Sequence, residues 1–265
     1  MNVIKTIKII GVPYHYGKDA FLHSDAPNAI RNSGLRMALD IARIPYKDNG
    51  DLKIGHPRKK NSVLYEKLKF LPEVLEIAKL LREIVKTTVK NNEIPIVIGG
   101  DHSIAIGSLL GMSAIRKDIT VVWIDTHGDF HTSQTTPSGR LHGMALALSL
   151  GLDKEFCKLF SMDVRYFDKD KVVMFGAQKF DSGEREVVVK NISLIDMQYI
   201  VRHGIGQAVE ELLKRIKTKN VHIFSSPSIS ARCQKSCLTW VFPYVLRARS
   251  CNWEPAPGQE DRGKF

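Results

Sequence analysis

The stretch Ile119-Thr120-Val121-Val122-Trp123-Ile124-Asp125-Thr126-His127-Gly128-Asp129 decides how the rest of the chain is read. Its first half is a near-continuous apolar run of the kind found in strands covered on both faces. Its second half is an alternation of carboxylate and imidazole. Successive side chains of a strand point to opposite faces, so residues two apart, just past a strand end, can turn toward one point. Asp125, His127 and Asp129 therefore read as ligands for a divalent ion at the end of a buried strand. A second run of the same character, Gly99-Gly100-Asp101-His102-Ser103, follows the apolar segment Ile94 to Ile98. Glycines there permit a tight turn, and His102 can approach from a neighbouring strand. Oxygen and imidazole donors without nearby cysteine suit manganese, nickel, iron or zinc and argue against a thiolate site.

Working outward, short β-branched runs alternate with amphipathic segments. The pattern predicts strands at Ile4 to Ile10, Ile94 to Ile98, Ile119 to Asp125, Val172 to Gly176, Ile192 to Ile195 and Val221 to Phe224. Helices are predicted from Ser62 to Lys90, with a break at Pro72, and from Ile104 to Arg116, His142 to Leu150 and Gly206 to Lys217. Strand then helix, repeated, implies an α/β fold: a single-domain, doubly wound parallel sheet with helices on both faces and ligands at the carboxyl ends of the strands.

The chain has 265 residues, 43% of them hydrophobic, enough for one large domain core. A formal charge of +11 would suit an anionic partner. The basic residues are scattered, however, and the densest cluster, Arg58-Lys59-Lys60, has no interleaved aromatics, so nucleic acid is not expected as a partner. The apolar N-terminus is broken by Lys5 and Lys8, too soon for a signal core or a membrane span, and a cytoplasmic protein is expected. The four cysteines, Cys157, Cys233, Cys237 and Cys251, lack metal-knuckle pairing and read as free thiols.

Beyond these features the sequence resembles the ureohydrolase family, its arginase branch in particular. The likeness rests on Gly11-Val12-Pro13, Ala26-Pro27-Asn28-Ala29-Ile30-Arg31, the Gly-Gly-Asp-His-Ser and Asp-x-His-x-Asp runs, and Thr136-Pro137-Ser138-Gly139-Arg140-Leu141-His142-Gly143. The resemblance spans roughly residues 3 to 223 and implies an arginase-like fold, two manganese ions per subunit, and hydrolysis of L-arginine to ornithine and urea, as part of arginine metabolism. By that likeness His102 and Asp129 would ligate one ion, His127 the other, and Asp125 would bridge both. Two such cations would activate a shared water for attack on the guanidinium carbon. His142 would carry a proton to the leaving group. Ser138 would bind the substrate α-carboxylate, and Asp181 and Glu184 the α-amino end. His131 would also meet the carboxylate, at a position where arginases commonly carry Asn. The partner implied is a small guanidino compound, and the assembly a homotrimer or homohexamer.

One expectation concerns the end of the chain. The family carries a third acidic motif after a strand like Val221-His222-Ile223, whereas here the sequence continues Phe224-Ser225-Ser226-Pro227-Ser228-Ile229-Ser230. From Phe224 to Trp253 there is no Asp or Glu at all. Residues 1–223 thus read as a ureohydrolase domain and 224–265 as a non-homologous tail, frameshifted or disordered. Read one base out of phase, Ser226 to Ile229 can spell Ser-Phe-Asp-Ile, the start of the missing motif. Two dications facing only Asp125 and Asp129 would lack balancing charge, which costs several kcal/mol, on the order of a thousandfold in affinity. Impaired activity and poor solubility are the consequences expected of the chain as written. Agmatinase or another guanidino hydrolase, and a catalytically inactive homologue, are the alternative readings.

Overall fold

The computed structural model describes residues 5–18, 24–54, 63–160, 164–216, 220–225 and 237–242. The Arg58-Lys59-Lys60 cluster, most of the tail, and Cys233 and Cys251 lie outside these residues.

A single eight-stranded sheet in the order β2-β1-β3-β8-β7-β4-β5-β6 organises the chain. Its strands are β1 (Ile7–Val12), β2 (Tyr46–Asp51), β3 (Ile94–Gly99), β4 (Ile119–Ile124), β5 (Val172–Phe175), β6 (Ser193–Ile195), β7 (Asn220–Ser225) and β8 (Cys237–Phe242). All neighbouring pairs are parallel except those that β8 makes with β3 and β7. Strands β1, β3, β4 and β5 fall on predicted apolar runs and are almost wholly buried, as expected of a sheet with helices on both faces.

The helices are α1 (Ala26–Ile30), α2 (Arg36–Ile41), α3 (Val63–Lys67), α4 (Leu71–Lys90), α5 (Ile104–Ser113), α6 (Ala145–Ser149), α7 (Lys154–Cys157), α8 (Glu184–Asn191) and α9 (Met197–Arg215). The break expected at Pro72 falls just ahead of it: α3 ends at Lys67, and α4 takes the proline into its first turn, where its missing N–H costs nothing. The main core lies between the sheet and α4, α5 and α6, and every residue of α5 is buried. Gly107 and Gly111 let α5 lie directly on α4: a Cβ at either would come within 2.7 Å of the α4 carbonyls of Ala78 or Arg82.

The sequence pattern predicts no element at α1, α2, α7, α8 or β8, and three others depart from it as follows. The segment around His142 opens as a 3-10 turn, Leu141–Met144, before α6, because the chain must first hand His142 to the site. Strand β2, Tyr-Lys-Asp-Asn-Gly-Asp, is polar throughout; it is an edge strand pairing with β1 alone, and needs little apolar content. Helix α9 starts at Met197, earlier than Gly206, and passes through a non-helical Gly204 at φ 81°. Asp196 caps it, its carboxylate accepting from Tyr199 N.

Candidate metal centre

The two ligand runs leave the carboxyl ends of β3 and β4, which stand apart in the sheet with β8 and β7 between them. Their loops nevertheless converge. His102 Nδ1 lies 2.6 Å from Asp129 Oδ2 and 2.9 Å from Asp125 Oδ2, and all three residues are buried. One donor atom from each falls within 4.8 Å of the others. His127, with a half-exposed side chain, places Nδ1 3.4 Å from Asp125 Oδ1, and its backbone N–H donates to the same oxygen at 2.9 Å. Burial by itself would push the Asp125 carboxyl up. The hydrogen bonds from His102 and His127, with the charge of His102, outweigh it and hold the group well below the usual carboxylate range.

Local sequence explains this geometry. Gly100 accommodates the close passage of the Tyr14 carbonyl, which would lie 2.2 Å from a Cβ. The indole of Trp123, fully buried on β4, stacks on His102 with ring centroids 4.2 Å apart and fixes the imidazole plane. Asp129 adopts φ 49°, the left-handed region that non-glycine residues seldom occupy. Its carbonyl accepts from Leu146 N, at the start of α6. The Thr126 carbonyl accepts from Gln178 N and Lys179 N, tying the β4 loop to the segment after β5.

A cavity of about 370 Å³ opens above these groups, and the other predicted residues line it. The Nδ1–H of His142 donates to the Gly17 carbonyl at 2.7 Å; since a carbonyl only accepts, the proton sits on Nδ1, and Nε2 is the basic atom of the neutral ring. Ser138 is exposed on the wall, its Oγ accepting from Arg140 N. His131 Nε2 donates to Asp181 Oδ2 at 2.9 Å and stands 3.9 Å from Glu184 Oε1. Asp181 is largely exposed, whereas Glu184 is buried. The structure thus gathers all nine predicted residues around one cavity.

Sequence reasoning missed several neighbours. Asp101 is buried beside His102, with Oδ1 accepting from Ser103 N. Its place between Gly100 and His102 was a signal, but nothing in sequence distinguishes it from a turn former. Lys18, Arg140 and Lys179 also line the cavity, and their positive charges join it from three separate segments.

Comparison with known proteins yields a consistent picture. A sequence model described as Arginase family matches residues 5–228. The arginase of Bacillus subtilis is 36% identical over 210 residues, covering 79% of this chain and 70% of its own length. That of Bacillus caldovelox is 33% identical over 223 residues, covering 83% and 75%. Among solved structures, arginase from Bacillus cereus superposes with a TM-score of 0.72 at 34% identity, over 83% of this chain and 74% of its own. Agmatine ureohydrolase of Thermoplasma volcanium shares the fold at a TM-score of 0.60 and 19% identity, over 83% and 66%.

Proposed function

The chain belongs to the arginase family, and from that premise we propose that it hydrolyses the guanidino C–N bond of L-arginine, giving ornithine and urea, with manganese as its metal. The observation that carries this reading is the meeting of His102, Asp125 and Asp129 at the floor of a cavity whose wall holds His142, Ser138 and Asp181.

The donor set fits a divalent cation. Two buried carboxylates share one imidazole, so even with that ring charged the group keeps net negative charge, which a bound cation would offset. His102, Asp125 and Asp129 would hold one ion, while His127 with Asp125 would contribute to a second. Bound there, the metal would supply the positive charge that makes water acidic enough to attack near neutral pH.

The remaining steps belong to the chain itself. His142 Nε2, left basic because Nδ1–H is committed to Gly17, can take up a proton released from the attacking water and pass it to the departing amine. Asp181 offers a carboxylate to the substrate's α-ammonium, and His131 and Ser138 offer donors to its carboxylate. Lys18, Arg140 and Lys179 add counter-charge for that carboxylate, which supports arginine over its decarboxylated relative.

A specific observation favours a second reading, an impaired member of the family. Ser225, the last residue of β7, pairs with Ile124, the residue before Asp125, so β7 ends beside the metal loop. No Asp or Glu occurs there, from Phe224 to Trp253. Among the described residues the second ion then has only His127 and the shared Asp125. The family match ends at residue 228, close to this compositional break, which supports reading residues 224–265 as a tail foreign to the family domain.

The test is to purify the chain, titrate manganese while following metal content by elemental analysis, and assay urea from L-arginine and from agmatine. Uptake of manganese with urea released preferentially from L-arginine is the expected result. Metal uptake without urea would favour the impaired reading, and preference for agmatine would overturn the substrate.

A further inference from the structure

We infer that Glu184 is a positioning residue for the metal loop: it locks Asp129 into its left-handed conformation by clamping the backbone on both sides of it. The inference rests on the proposed metal centre, and it gives Glu184 a role different from direct contact with the substrate's amino group.

Glu184 is buried at the first turn of α8, far along the chain from the loop it touches. Its Oε1 accepts from Phe130 N at 3.0 Å, a contact spanning 54 residues. On the other side of Asp129, Gly128 lies so close that a Cβ there would be 2.6 Å from the same Oε1. The second oxygen, Oε2, accepts from Asp181 N at 3.0 Å, closing the turn that leads into α8. Each oxygen of the carboxylate is thereby engaged by a backbone amide, although the side chain also borders the cavity.

Asp129 sits between the two clamped positions at φ 49°. Backbone in that region costs on the order of 1 kcal/mol or more for a non-glycine residue and persists only where its surroundings fix it. The Asp129 carbonyl is held by α6 through Leu146 N, which leaves the N–H side of the following peptide for Glu184. With Gly128 packed against the Glu184 carboxylate on one flank and Phe130 N bonded to it on the other, the Asp129 carboxylate is aimed at His102 Nδ1, 2.6 Å away. If Glu184 served only its own helix, the short-range bond to Asp181 N would suffice; the bond to Phe130 N has no such local purpose.

Three substitutions separate reach from charge. Glu184→Gln keeps the length and one carbonyl oxygen able to accept from Phe130 N. Glu184→Asp keeps the charge but is one methylene shorter, and Glu184→Ala removes both. Two readouts are taken on the full chain: manganese affinity by equilibrium dialysis, and amide hydrogen exchange at Phe130 in metal-free protein. Positioning partners behind metal ligands typically govern affinity by 10- to 100-fold. The expected result is a manganese affinity at least tenfold weaker in Glu184→Asp and Glu184→Ala, nearer the unmodified value in Glu184→Gln, with exchange at Phe130 accelerated in the same order. Unchanged exchange at Phe130 in Glu184→Ala overturns the inference. So does a rise in KM alone with manganese affinity intact, which would return Glu184 to substrate contact. If the unmodified chain takes up no manganese, the proposed function falls, and the exchange measurement still decides whether Glu184 clamps the loop.

Discussion

A few residues show what could and could not be read at the smallest scale. The convergence of Asp125 and Asp129 was legible because strand alternation turns them toward one point, and the structure brings both to His102 with His127 beside Asp125. The reason for Gly100 was not. It was expected to permit a tight turn, and the structure shows a steric need besides: the Tyr14 carbonyl passes where a Cβ would stand, and neither partner is a flexible side chain. No local rule could reveal that, since the contact joins the end of β3 to the segment after β1. Trp123 is similar, reading as core from its apolar strand yet also stacking on His102. Gly100→Ala is accordingly expected to lower unfolding free energy by about 1 to 3 kcal/mol, the range of substitutions that force backbone apart. Chemical denaturation measures it, and an unchanged midpoint and slope would show that the Tyr14 segment yields freely.

Among elements, legibility followed burial. Strands β3, β4 and β5 announced themselves as apolar runs because helices cover both of their faces, whereas the polar edge strand β2 carried no such mark. Helix α9 was half visible: its glycines obscured the first turns, which depend on the Asp196 cap. That cap has a pH signature. Burial tends to raise the Asp196 carboxyl, but the bonds from Tyr199 N and from Arg185, with the charge of Arg185, prevail and lower it. A group depressed on folding stabilises the native state above its unfolded value, near 3.9, and that contribution disappears as pH falls through the lower folded value. Asp196→Ala should therefore cost about 1 kcal/mol at neutral pH, as loss of an N-cap does, and progressively less below about pH 4. Thermal melts across that range check it; a pH-independent difference would mean that the ionised carboxylate is not what holds the helix start.

At the scale of the whole molecule, the family assignment and the sheet order account for the site's position, but the role of the segment near the chain's end was beyond sequence pattern. Its composition marked a departure without saying where it goes. In the structure, β8 lies between β3 and β7 and pairs antiparallel with both. Removing it would divide the sheet and leave two long edges of unpaired backbone, a known route to aggregation. Truncation after Ser225 should cause the chain to associate, visible as light scattering and early elution on size exclusion. A soluble truncated monomer with unaltered far-ultraviolet circular dichroism would show that β8 is dispensable. The same placement bears on how the polypeptide reaches its native state. Strands β1 to β3 emerge early from the ribosome, yet β3 cannot complete its inner edge until β8, far along the chain, has been made and slots in beside it. Closure of so long a loop is slow. Maturation of the pocket, whose two walls belong to opposite halves of the sheet, therefore waits on that late strand, and a folding intermediate without it would carry the halves unjoined.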